Sequence, residues 1–175
     1  MSRIGRLPIH LDKTVKASVA GDTVKAEGPK GKRTIKADDF FKGLLTTALA
    51  EDEILTEVRV PALAAKTGAA YMKFPHPASR FAVVGVAAVL SVDGGKVGKA
   101  SVGITGAGTK AVRAKGVEAA ITGKGTDAAS IQAAAEKAAE GVDVQADLQG
   151  SVEYKSHLLR VFAKRAMEAA AAAVK

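Results

Sequence analysis

Along this chain the hydrophobic and polar positions change rhythm around one stretch. From Phe81 to Val92 almost every residue is apolar, and the only polar one before Val92 is Ser91. Val83, Val84, Val86, Val89 and Val92 supply β-branched side chains that suit a pleated, packed surface. Asp93-Gly94-Gly95 interrupts the run with residues that accept a positive φ cheaply, and a second apolar run, Val97 to Thr105, follows. Two such runs around Asp-Gly-Gly predict a β-hairpin. A buried helix is the alternative for a run of this length, but the valines and the turn argue against it. The hairpin is expected at the centre of a sheet, with helices over at least one face.

Upstream, the pattern is shorter and more polar. Thr14–Val19 and Thr23–Ala26 flank Ala20-Gly21-Asp22, and Gly28-Pro29-Lys30-Gly31 turns toward Lys32–Ile35, which predicts a small antiparallel meander. Asp38 or Asp39 offers an N-cap to a short helix over residues 40–50, interrupted by Gly43. Ile54–Val60 alternates apolar and polar residues and stops at Pro61, as an edge strand would. Ala69–Phe74 is a further strand, ended by Pro75 and Pro77.

After the hairpin the spacing turns helical. Lys110–Thr122 carries Ala114, Val117 and Ile121, with Gly123 as its stop. Thr126 or Asp127 caps a second helix bearing Ile131, Ala134, Ala135 and Ala138, with Gly141 after it. Ser151 opens the longest helix, to about Val174; its stripe is Leu158, Phe162, Ala166, Ala169 and Ala173, with Lys155, Arg160 and Lys164 turned outward. Its alanine-rich end either packs closely or simply propagates the helix. The expected fold is α+β: an antiparallel β-sheet with a C-terminal three-helix cluster, preceded by a small basic β meander, divided at residues 1–36 and 37–175.

Composition narrows the chemistry. A chain of 175 residues without cysteine has no disulfide and no thiolate metal site. His10, His76 and His157 are too dispersed to suggest a metal site, so none is expected. No secretory signal is visible, and residues 81–92 are too short to span a bilayer, so no membrane partner and a cytoplasmic location are expected. The net charge is +8, unevenly placed: residues 1–36 hold nine Lys/Arg against three Asp/Glu, and the remainder seventeen against fifteen. A basic head of this kind is either a polyanion-binding arm or a solubilising surface.

Few residues offer reactive chemistry. Gly106-Ala107-Gly108-Thr109-Lys110-Ala111 fits the dinucleotide pattern G-x-G-x-x-[G/A], but another helix follows instead of the second strand of a parallel βαβ unit, which favours a plain glycine turn. Gly28–Gly31 lacks the spacing of a phosphate-binding loop. Asp38-Asp39 and Glu51-Asp52-Glu53 fit helix caps and solvated turns. Ser79 near His76, beside prolines, does not make a nucleophile and base, so no catalytic residue is assigned. Tyr71, Lys73, His76 and Arg80 form a polar cluster before the central strand: a surface loop, or a lip that Pro75 and Pro77 stiffen toward a ligand or partner.

Two resemblances follow from longer motifs. DDFFKGLLTTALAEDEILTEVRVPA, GAAYMKFPHPASRFAVVGVAAVLSVDGGK, SVGITGAG and VEYKSHLLRVFAKRA are similar to the C-terminal domain of the FAD-binding medium subunit of carbon-monoxide-dehydrogenase-type molybdenum hydroxylases, relatives of xanthine dehydrogenase. The likeness runs from about residue 23 to the end. It implies an antiparallel sheet backed by a C-terminal three-helix cluster. In that family FAD pyrophosphate is held by glycine-rich segments of two preceding domains, absent here, while the C-terminal domain closes over the isoalloxazine. The resemblance places Tyr71 and Lys73 at the loop over the flavin. It implies a non-catalytic accessory domain of an oxidoreductase complex that docks to flavin- or molybdenum-carrying subunits. The chain alone would hold no cofactor, with FAD bound only in a complex.

The head, MSRIGRLPI, TVKAS and GDTVKAEGPKG, resembles the start of bacterial large-subunit ribosomal protein six, without a counterpart of that family's RNA-contacting C-terminal half. A chain similar to one family at its head and another through its body has the pattern of a fusion, a misassembled gene, or an engineered or computer-designed chimera. The head also offers an alternative function, RNA binding through Arg3, Arg6, Lys30, Lys32 and Arg33. Five phosphates engaged would give a slope of log K against log salt on the order of −3.5 to −4.5. No aromatic precedes Phe40, so base stacking from this segment is not expected.

Overall fold

The computed structural model describes residue 13 and residues 16–20, 23–27 and 31–174. The chain forms two units, Met1–Lys36 and Ala37–Lys175. In the first, strands β1 (Lys16–Ala20) and β2 (Thr23–Glu27) pair antiparallel, Lys16 opposite Glu27 and Ala20 opposite Thr23. The turn at 28–30 lies outside the described residues, and residues 31–36 carry no strand, so the expected third strand at Lys32–Ile35 is absent.

The second unit opens with a single helical turn, α1 (Ala37–Phe40), and a small hairpin of β3 (Phe41–Gly43) and β4 (Thr46–Thr47). This corrects the helix expected over 40–50. Leu45 sits at φ 50° in the turn, and the chain returns so that Ala48 N–H bonds the Phe40 carbonyl at 2.8 Å. The strand expected at Ile54–Val60 is also absent: the segment pairs with no strand, and Ile54, Leu55, Val58 and Val60 are all exposed. Alternation marks a strand only where another edge and an apolar surface meet it, and the described residues supply neither.

The sheet follows. Strands β5 (Thr67–Pro75), β6 (Ala82–Asp93), β7 (Lys96–Thr105) and β8 (Val112–Arg113) form an antiparallel four-stranded sheet in sequence order. Gly94 and Gly95 are the turn between β6 and β7, at φ 54° and 75°, the paired positive values of a hairpin turn that matches strand twist. The helices are α2 (Lys115–Ile121), α3 (Ala128–Ala135) and α4 (Val152–Ala172). Residues 112–113 prefer pairing with β7 at Gly103 and Ile104, so α2 starts after Ala114 rather than at Lys110. Asp127 is the cap of α3, accepting Ser130 N–H at 3.0 Å, a bond that holds its carboxyl below the usual range. Ser151 caps α4 by accepting Tyr154 N–H.

Alternation on the sheet divides its two faces. Val84, Val86, Ala88 and Leu90 of β6, with Val102 and Ile104 of β7, point into the core, and Ala70, Met72 and Phe74 of β5 pack against it. Leu159, Phe162, Ala163, Ala166, Met167 and Ala170 of α4 belong to the same core, joined by Val117, Ile121 and Ile131 from α2 and α3. The alanines of α4 serve close packing: a Cβ added at Gly68 of β5 would lie 2.0 Å from the Ala170 carbonyl oxygen, so only glycine fits there. The α4 stripe is displaced from its expected line, since Ala173 is exposed and Ala169 half-buried. One residue expected outward is inward: Lys155 is 1% exposed. Its ammonium donates to Asp147 Oδ2 at 2.7 Å, which lets the charge lie inside.

Candidate functional site

The face of the sheet away from the helices carries the residues singled out beforehand. Tyr71 and Lys73 are two apart on β5 and so share this face. Tyr71 pairs with Ala87 of β6, which pairs with Gly103 of β7, which pairs with Arg113 of β8; Lys73 pairs with Gly85, which pairs with Thr105. The floor between them is therefore small: Gly85, Ala87 and Gly103. A Cβ at Gly85 would come 2.5 Å from the Tyr71 hydroxyl oxygen and 3.0 Å from Thr105 Cγ2. The phenol thus leans across β6 over the space a side chain would take. Tyr71 remains 51% exposed, an aromatic surface on a flat, shallow floor.

Lys73 is tied to the loop that joins β5 to β6, its ammonium donating to the Arg80 carbonyl at 2.9 Å. That loop is ordered around His76. His76 N–H bonds the Phe81 carbonyl at 2.7 Å, and Arg80 N–H bonds the His76 carbonyl at 2.9 Å. Its ring Nδ1 accepts from the backbone N–H groups of Ala78 and Ser79, at 3.2 and 3.1 Å. The ring nitrogen facing Ser79 is thus spent on backbone donors, and Ser79 Oγ accepts from Phe81 N–H instead, so the two do not form a nucleophile and base. Arg80 adopts φ 61°, a further constraint on the lip.

Across the sheet lies a second polar group that the sequence reading did not single out. Glu118 of α2 accepts Val102 N–H at 2.7 Å and Arg113 Nε–H at 2.6 Å, and Arg113 also reaches Ser101 Oγ at 3.3 Å. Glu118 thereby supplies the acceptor that a longer β8 would have given to β7, and its carboxylate raises the Arg113 pKa further. A partnership of strand edge with helix leaves no periodic trace in the sequence.

The Gly106–Ala111 segment opens no helix. Gly106, at φ 84°, packs on the Ala82 and Val83 carbonyls, Gly108 on that of Asp143, and the chain enters β8 antiparallel to β7. It is a structural turn, and no phosphate cradle is found there. Of the basic candidates, Arg3, Arg6 and Lys30 lie outside the described residues, while Lys32 and Arg33 are exposed. Among the described residues no group of three His, Asp or Glu side chains could hold a metal ion, and no helix is long and apolar enough to cross a membrane.

Comparison with known proteins gives two kinds of match. Residues 69–170 match the model of the CO dehydrogenase flavoprotein C-terminal domain, and residues 12–63 that of the FAD binding domain in molybdopterin dehydrogenase. The carbon monoxide dehydrogenase medium chain of Hydrogenophaga pseudoflava is 37% identical over 144 residues, which are 82% of this chain and 50% of that one. A solved carbon monoxide dehydrogenase from the same organism, lacking the Mo-pyranopterin moiety of the molybdenum cofactor, aligns with a TM-score of 0.79 at 40% identity, over 85% of this chain and 52% of that chain. The chain spans about half the length of the curated relatives it matches. Separately, the large ribosomal subunit protein uL6 of Cereibacter sphaeroides is 56% identical over 39 residues, 22% of each chain.

Proposed function

Because this chain belongs to the CO dehydrogenase flavoprotein C-terminal domain family, whose model spans residues 69–170, we propose that it is an accessory flavoprotein domain. It covers the isoalloxazine of a flavin held mainly by other polypeptide, docks to flavin- or molybdenum-carrying subunits, and performs no chemistry of its own. The observation that carries this reading is the open sheet face, where the half-exposed Tyr71 ring lies over the Gly85 floor beside Lys73. A flat heteroaromatic ring fits an aromatic face on small residues, and an ammonium suits its carbonyl edge. A pyrophosphate does not fit: that group calls for a glycine-rich turn at a helix N-terminus, and Gly106–Ala111 leads into β8 instead. FAD bound by a complex would supply electron transfer; Tyr71 would cover its ring and Lys73 would orient it.

Contact with the ring alone makes a measurable prediction. Riboflavin and FAD should bind the purified chain equally weakly, with no flavin retained through gel filtration, and Tyr71→Ala should lower the residual fluorescence quenching by both. Stoichiometric FAD held through purification would overturn the reading, since it would require a phosphate site in this chain.

The match of the head to a ribosomal protein favours a second reading, RNA binding by Arg3, Arg6, Lys30, Lys32 and Arg33. Deleting residues 1–12 and reversing the charge of Lys30, Lys32 and Arg33 should then abolish retention on an RNA column at low salt. Unchanged retention would leave the head a solubilising surface.

A further inference from the structure

The loop that joins β5 to β6 is built around one ring nitrogen. His76 Nδ1 accepts from Ala78 N–H at 3.2 Å and from Ser79 N–H at 3.1 Å. A histidine Nδ1 accepts only in the neutral ring, whose proton then sits on Nε2. Around that knot the backbone closes on itself, His76 N–H bonding the Phe81 carbonyl at 2.7 Å and Arg80 N–H the His76 carbonyl at 2.9 Å. Arg80 is held at φ 61°, in the left-handed region that a non-glycine residue keeps only where its surroundings enforce it. The Arg80 carbonyl in turn accepts from the Lys73 ammonium at 2.9 Å. The contacts therefore run without a break from the His76 ring, through the loop, to a side chain on the open face of the sheet.

Protonation reverses the sense of the first link. A charged imidazole carries N–H on both nitrogens, so Nδ1 would present a donor to the two backbone donors it had accepted from. Both bonds are then lost. The charged and titratable groups on the segments about the loop are Lys73 of β5, Arg80 of the loop itself, Lys110 of the turn whose Gly106 meets the Ala82 and Val83 carbonyls, and Glu153 and Tyr154 at the start of α4, where Tyr154 meets Phe74 edge to face. None of the ion pairs among the described residues includes His76. Histidine is the side chain that ordinarily changes its charge between about pH 5 and 8.

We propose that His76 is a pH-sensitive latch: the neutral ring holds the β5–β6 loop closed and Lys73 in place, and the protonated ring opens the loop and frees Lys73. Its consequence for a ligand rests on the reading of the open face as a flavin cover, which is then set at neutral pH and loosened in acid.

The test uses the full chain, taken from about pH 8 to about pH 5 and followed by NMR of the His76 ring and of the backbone amides. The Ala78 and Ser79 amides should shift with the same midpoint as the ring. Their hydrogen exchange, corrected for its intrinsic dependence on pH, should quicken about tenfold across that midpoint. His76→Asn, whose side-chain oxygen can accept from the same two N–H groups without titrating, should keep the loop closed throughout, and His76→Ala should leave it open at both ends of the range. Riboflavin fluorescence quenching should weaken below the midpoint in the parent and stay level in His76→Asn. Ala78 and Ser79 amides that ignore the ring's titration, or that keep the parent's pH dependence in His76→Asn, would overturn the latch. Quenching that stays level in the parent while the loop opens would overturn the link to Lys73. A loop that switches as described, with no riboflavin quenching at any pH, sinks the flavin reading instead and supports the latch.

Discussion

Val86→Asp should abolish folding of the second unit, while Ala87→Asp, one residue along the same strand, should leave a folded protein. Val86 is 0% exposed at the middle of β6, paired with Met72 on one side and Ile104 on the other, within the core that α4 completes. A carboxylate there meets only apolar groups and no cation, and burying it costs several kcal/mol. Total stabilities of domains are about 5–15 kcal/mol, so the loss is of the order of the whole. Ala87 points to the opposite face and is exposed. Its aspartate stays hydrated and costs about 1 kcal/mol in strand preference. Thermal unfolding by circular dichroism reads both variants. A Val86→Asp melt like that of the parent would remove β6 from the core, and equal damage from the two variants would refute the division of faces.

The hairpin itself, though not the division of its faces, was legible in the sequence, where a β-branched run and a turn signal agreed. The valines of 81–92 and the Gly94-Gly95 pair favoured a hairpin over a buried helix, because β-branched residues and a glycine turn suit a strand pair better. Tyr71 and Lys73 could be set on one face from their spacing alone. Residues 40–63 misled for a physical reason. Leu44, Leu45, Ile54, Val58, Val60 and Leu63 carry the apolar content of elements that pack, yet all are exposed. Their pattern describes a packing surface that the described residues do not cover, and they fall within residues 12–63, which match the model of the FAD binding domain in molybdopterin dehydrogenase. Gly85 was hidden within an apolar run, where nothing local distinguishes a strand glycine from one placed beneath a tyrosine. Arg113 and Glu118, from different elements, meet only after the fold has formed.

Lys155 is the sharpest case of charge misread as exposure, and it yields the second large effect. Periodicity and charge set it outward; the tight turn through Asp147 and Gly150 brings a carboxylate to its buried ammonium. Removing that carboxylate leaves the lysine inside without a partner, so Asp147→Asn should destabilise the protein by about 3 kcal/mol, the low end for breaking a buried pair because Asp147 is itself 51% exposed. Lys155→Met, which fills the same space without charge, should cost far less, and the same urea series measures the difference. The Lys155 ammonium, followed by the Gln149 N–H, holds the Asp147 carboxyl below the usual carboxylate range. The unfolded chain, with an ordinary value of about 3.9, therefore binds the proton more readily than the folded one, and stability rises with pH across that range. The contribution is fully present above the unfolded value and is lost as pH falls through the folded one. Urea unfolding at a series of pH values should show the gap between parent and Asp147→Asn widest near neutrality and closing below about pH 4. A gap independent of pH would mean that Asp147 acts only through its turn and that the buried lysine does not depend on its charge.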